Sequence, residues 1–253
     1  MKSFDTILLK QMQGIKKITI FVITNIIMNQ NMFSQKQLIP NPGFEPTKLK
    51  ASIYSSEATD FEKYMLGWTR IKSKNISNVN INYYYKNSPI LFAANDHGRH
   101  GKSFLSIELL GVETSDTSIR HRGFVYAKLI SPIHKGDSLK ISYDIAMIDA
   151  TNHILPGLEL FFCNKASQIK GFINGRDTPQ VKETNNIDSL YFQTIEHTYI
   201  ADNSYKYVVI GRGTIDPFES YKKRMSPDEN LNYINRNRWR SYYGIDNFRI
   251  VKF

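Results

Sequence analysis

Apolar and polar residues alternate with period two along most of the chain. In Ser138–Ile148, Leu139, Ile141, Tyr143, Ile145 and Met147 alternate with Lys140, Ser142, Asp144 and Ala146. Successive side chains of a strand point to opposite faces, so this pattern predicts a half-buried β-strand. Phe104–Leu110 places Leu105, Ile107 and Leu109 on one face and Ser106 and Glu108 on the other. Gly123–Ile130, Leu158–Cys163, Tyr191–Thr198, Tyr205–Ile210 and Tyr242–Phe253 also read as strands, rich in β-branched and aromatic residues and bounded by Gly, Pro, Asn or Asp. No long amphipathic helix is legible. Many short strands without alternating helices predict an all-β antiparallel sandwich or barrel.

Two stretches break this rhythm. Pro46 to Trp68 reads as a long polar connection with room for a helical turn. Asp216–Arg240 reads as a basic insertion carrying Lys222, Lys223, Arg224, Arg236, Arg238 and Arg240. Near the N-terminus, Lys16 and Lys17 precede an apolar run from Ile18 to Met28, followed by Phe33-Ser34-Gln35. The run is shorter than the roughly 20 residues that span a bilayer. A basic flank, a short apolar region and small or polar residues predict a secretory signal peptide over residues 1–34, cleaved near Ser34-Gln35. The mature chain, residues 36–253, is then expected to be one exported domain with no membrane span, located in the periplasm, on the outer-membrane surface or outside the cell.

Composition sharpens this picture. The 253 residues are 41% hydrophobic and 13% aromatic, which excludes a low-complexity disordered chain. The formal charge is +10, and removing residues 1–34 takes away four lysines and one aspartate, leaving +7. A basic exported chain meets anionic polysaccharide through the same long-range attraction that nucleic acid would exploit, and nucleic acid is not expected as a partner. Cys163 is the one cysteine, so neither a disulfide framework nor a Cys-rich zinc module can form. Stability is expected to come from packing.

Few motifs carry chemistry. Gly136-Asp-Ser-Leu139 matches the signature of a serine esterase family, but it sits between two alternating β patterns and no Asp-x-x-His follows it. It reads as a hairpin turn, and no catalytic residue is expected. His97, His100 and His121 lack a zinc spacing and read as solvated loop histidines. Tyr84 falls on the polar side of the Val79–Tyr85 alternation and is the candidate sugar-stacking platform, with Trp239 and Tyr242 as further ligand-binding candidates. Trp68 after Gly67 reads as core.

The opening Leu38-Ile-Pro-Asn-Pro-Gly-Phe-Glu45 resembles the N-x-x-F-E start of galactose-binding-like jelly-roll modules, including many carbohydrate-binding modules. The chain is similar to the N-terminal β-sandwich of Bacteroidota OmpA-family surface proteins. This resemblance extends through Gly67-Trp68, Ser103–Leu109, Leu129–Gly136, Leu139–Ala146, Thr178-Pro-Gln-Val181, Tyr207–Gly211 and Tyr242–Phe248. It implies a jelly-roll sandwich and a noncatalytic envelope or secreted module that binds glycan or another surface component; a structural or assembly protein that binds a protein partner is the alternative. It also implies a structural Ca²⁺ held by Glu45 and Asp246, tying the two chain ends together. The sequence closes at Phe253, just after the last predicted strand, so a peptidoglycan-binding domain is not expected.

Overall fold

The structure is a computed structural model that describes residues 36–45, 61–71, 79–83, 103–113, 120–148, 151, 153–173, 177–213, 222–223 and 238–253. The proposed signal segment, Tyr84, His97, His100 and most of the basic insertion lie outside the described residues. Residues Gln37–Lys252 form one compact unit.

In chain order the strands are β1 (Trp68–Arg70), β2 (Val79–Tyr83), β3 (Ser103–Glu113), β4 (Arg120–His121), β5 (Phe124–Ile133) and β6 (Ser138–Met147). They continue with β7 (His153–Ile154), β8 (Glu159–Cys163), β9 (Val181–Lys182), β10 (Gln193–Ile200) and β11 (Tyr205–Gly211). The last two are β12 (Lys222–Lys223) and β13 (Arg238–Lys252). The longest described helix is the short turn Ile169–Ile173.

One sheet runs β1-β5-β11-β8-β9 and the other β10-β6-β13-β3-β2, with β4 beside β3 and a small β12–β7 ladder apart; every pairing is antiparallel. Chain neighbours β5 and β6, and likewise β10 and β11, belong to opposite sheets, so the turns between them cross from one layer to the other. This is an all-β jelly-roll sandwich.

The alternation explains the layering. Leu139, Ile141, Tyr143, Ile145 and Met147 of β6 and Leu105, Ile107 and Leu109 of β3 meet Val125, Ala127, Leu160, Phe162, Val208 and Ile210 of the facing sheet in one core. Burial of each large aliphatic side chain contributes about 1.5–3 kcal/mol relative to exposure. The outer faces are covered too. Phe161, Cys163 and Val209 pack under Ile169 and Phe172; Phe104 and Ala146 pack with Ile148 and Phe192.

The opening motif folds against the closing strand. The Leu38 N–H donates to the Ile250 carbonyl and the Phe248 N–H to the Pro42 carbonyl, both at 2.8 Å. Phe44 is buried at φ 50°, a left-handed conformation costly for a bulky residue. It is held there by Trp68, whose ring centroid lies 5.1 Å away, while Trp68 Nε1 donates to the Asn41 carbonyl. Gly67, at φ 82°, leads the chain into β1, and a β-carbon there would lie 2.5 Å from Pro40. Gly136-Asp-Ser-Leu139 forms the β5–β6 turn and the start of β6: Gly136 adopts φ 88° and Asp137 Oδ2 accepts the His134 N–H.

Candidate functional site

Of the sequence-derived candidates, Trp239, Tyr242 and Asp246 lie on β13 of the six-stranded sheet. Trp239 is on β13 in register with Val112; its side chain lies outside the described residues. Tyr242, three residues on, is half-buried and packs against the Phe104–Phe192 cluster on the outer face. Its backbone is pinned by Thr151, whose hydroxyl donates to the Tyr242 carbonyl and accepts the Tyr242 N–H.

Glu45 and Asp246 belong to the two tied chain ends. Glu45 Oε1 accepts the Ser103 N–H at 3.3 Å. Asp246 is buried on the outer face of β13, directly across from buried Asp144 of β6, and its Oδ1 accepts the Asn247 N–H. Asp144 accepts the Thr194 hydroxyl at 2.6 Å and is approached by the Asn247 amide at 3.5 Å. Calcium takes six to eight oxygen ligands. Here the carboxylates accept N–H and O–H groups of the chain, and among the described residues no three His, Cys, Asp or Glu side chains gather as a metal-binding group.

A different site is built at the end of the five-stranded sheet. Beyond β8, Gln168 Oε1 accepts the N–H groups of Asn164 and Lys165, folding Ala166–Gln168 into a 3-10 turn that continues as Ile169–Ile173. Phe172 stacks on Phe161 at 4.8 Å, fastening this turn to the sheet's outer face. On the other side of β8, the Gln180 N–H donates to the Leu160 carbonyl and Gln180 Oε1 accepts the Phe162 N–H, extending the β8–β9 ladder with a side chain. The β10–β11 turn closes a third side. There Asp202 Oδ1 accepts the hydroxyls of both Tyr199 and Tyr205.

These three segments enclose a cleft of about 790 Å³. Asn164, Lys165, Ser167, Asp177, Thr178 and Asn203 line it and are exposed. Below them lie Phe162, Cys163, Phe172 and Tyr205, all buried. Burial pushes the Cys163 thiol up to about 11. Burial, then the bond to Asp202, raises the Tyr205 hydroxyl above its ordinary value; the two phenol donors hold the Asp202 carboxyl below the usual carboxylate range. The cleft thus offers amide, hydroxyl, ammonium and carboxylate groups, both donors and acceptors, over an apolar floor. None of Glu45, Tyr242 and Asp246 lines it. The signal for it in the sequence is weak, because its walls come from residues near 165, 178 and 203, which read separately as loops.

No protein-family profile matches the chain, and no curated protein matches it. Solved structures do. The K3 cleaved adhesin domain of Lys-gingipain from Porphyromonas gingivalis is 10% identical, with a TM-score of 0.40 over 87% of this chain and 99% of that one. The CBM22-1 xylan-binding domain of Paenibacillus barcinonensis Xyn10C is 10% identical, with a TM-score of 0.36 over 74% of this chain and 85% of that one. The enzymatically active domain of bacteriophage CBA120 tailspike protein 4 is 8% identical at a TM-score of 0.38; the match covers 74% of this chain and only 20% of that one. At these scores the fold assignment rests on the two sheets themselves.

Proposed function

We propose that this chain is a noncatalytic, exported module of the cell envelope that binds glycan, and that the cleft beyond β8 is where it does so. The observation that carries the reading is the cleft's lining: among the described residues it offers side-chain amides, hydroxyls and one charge of each sign, supplied by three segments anchored on the sandwich. Sugar hydroxyls both donate and accept, so a mixed set of this kind suits them, and polar groups placed over an apolar floor are typical of small-ligand sites. Support for a noncatalytic role comes from two places. The esterase-like tetrapeptide is spent on the β5–β6 turn. The cleft's thiol, Cys163, is buried and held protonated at neutral pH, whereas a nucleophile needs a depressed pKa or an adjacent base. Export is supported by the basic, apolar and polar order of residues 1–34.

A glycan array probed with residues 36–253 tests this reading. Binding to a defined subset of sugars is expected. Silence on every glycan, together with recovery of a specific envelope protein in a pull-down, would replace it with an assembly role.

A further inference from the structure

We infer that the cleft takes the end of a neutral sugar chain, or a short branch, and not the length of a polymer; this rests on the glycan-binding reading above. Three features of the site lead there.

The first is shape. The cleft is bounded by the 164–173 turn, the 177–180 segment and the β10–β11 turn, and its 790 Å³ lies within the range of about 300–1,000 Å³ that holds one compact ligand. A ligand of about three sugar rings fills such a volume.

The second is the set of contacts. Phe162, Phe172 and Tyr205 are 2%, 5% and 6% exposed, so none offers an open ring face to a pyranose. Recognition therefore falls to the exposed polar side chains. Hydrogen bonding of this kind depends on where each hydroxyl points, and a chain end presents hydroxyls that a chain interior has already used in linkages.

The third is charge. Lys165 and Asp177 both line the cleft and both are exposed. An anionic sugar would gain the ammonium but face the carboxylate, and a cationic one the reverse. A neutral sugar can accept from Lys165 and donate to Asp177 at no such cost.

Calorimetric titration of residues 36–253 tests the inference. The probes are methyl glycosides of glucose, galactose, mannose and N-acetylglucosamine, their linear oligomers from the disaccharide upward, and matching uronic-acid oligomers. Affinity for the preferred sugar is expected to rise to about the trisaccharide and then stay level, with uronic-acid oligomers no tighter. Lys165→Ala and Asp177→Asn, both at exposed positions, are each expected to weaken it about tenfold, or 1.4 kcal/mol. Affinity that keeps climbing with chain length, tighter binding of the uronic acids, or indifference to both substitutions overturns this inference while leaving glycan binding intact. Failure of every sugar to bind overturns both.

Discussion

A β-carbon placed on Gly171 would lie 2.4 Å from Oδ2 of Asp177. The missing side chain lets the Asp177 carboxylate rest against the helical turn and so face the cleft. Gly171→Ala should displace Asp177 and leave the sandwich intact, because the clashing atom ends a flexible side chain. Alanine favours a helix over glycine by about 1 kcal/mol, so the melting temperature should hold or rise slightly. Sugar affinity should fall about tenfold. Calorimetry and thermal melting on the same variant separate the two effects; a large drop in melting temperature would show that Gly171 serves the fold instead.

Cys163 lies at the cleft's base, 2% exposed, with its thiol raised to about 11 by burial. In the native protein its alkylation at pH 8 should be at least about 100-fold slower than in denaturant, since attack needs both thiolate and local opening of the Phe172 turn. A saturating sugar ligand should slow it further. Labelling at the denatured rate would mean that the turn does not cover the sheet.

Acid and alkaline limits follow from burial and hydrogen bonding. The hydroxyl donors of Tyr199 and Tyr205 hold Asp202 below the usual carboxylate range, and hydrogen bonding to Lys252 does the same for Asp137. A carboxyl whose pKa is lower folded than unfolded contributes its full stabilisation above about pH 4, and loses it as pH falls through the lowered value. Burial raises the Tyr143 and Tyr243 hydroxyls, so their contribution is full below about pH 10 and is lost as pH rises beyond it. Melting temperature against pH should show a broad plateau with a fall at each end. Asp202→Asn should lower the plateau slightly and flatten the acid fall; an unchanged acid limb would mean the two tyrosines do not hold that carboxylate.

Trp68 joins the opening motif to the sandwich through Phe44, Phe248 and the Asn41 carbonyl. Trp68→Ala should cost about 3–5 kcal/mol in denaturant unfolding. A loss below about 1 kcal/mol would show that the N-terminal segment is held by its backbone bonds alone.

The sandwich was largely legible in the sequence because period-two alternation is set by geometry that every strand shares. The five apolar residues of β6 lie in the central core as their spacing requires. β3 departs from a half-buried strand: Ser106 and Glu108, on its other face, are buried as well, on the side where Phe104 packs with Ala146, Ile148 and Phe192. The opening and closing motifs do lie side by side, joined by backbone hydrogen bonds. The cleft was not legible. It depends on Gln180 completing a ladder, on Phe172 finding Phe161 and on the β10–β11 turn arriving beside both. These are long-range contacts between residues whose local patterns signal nothing beyond a loop.

The central claim is that sugar enters the cleft beyond β8, and amide chemical-shift mapping of residues 36–253 with the best array ligand tests it most directly. The predicted result is a set of perturbations confined to Asn164–Gln168, Thr178–Gln180 and Asn203–Tyr205. Perturbations that spare these residues and cluster instead around Tyr84, Trp239 and Tyr242 would contradict it.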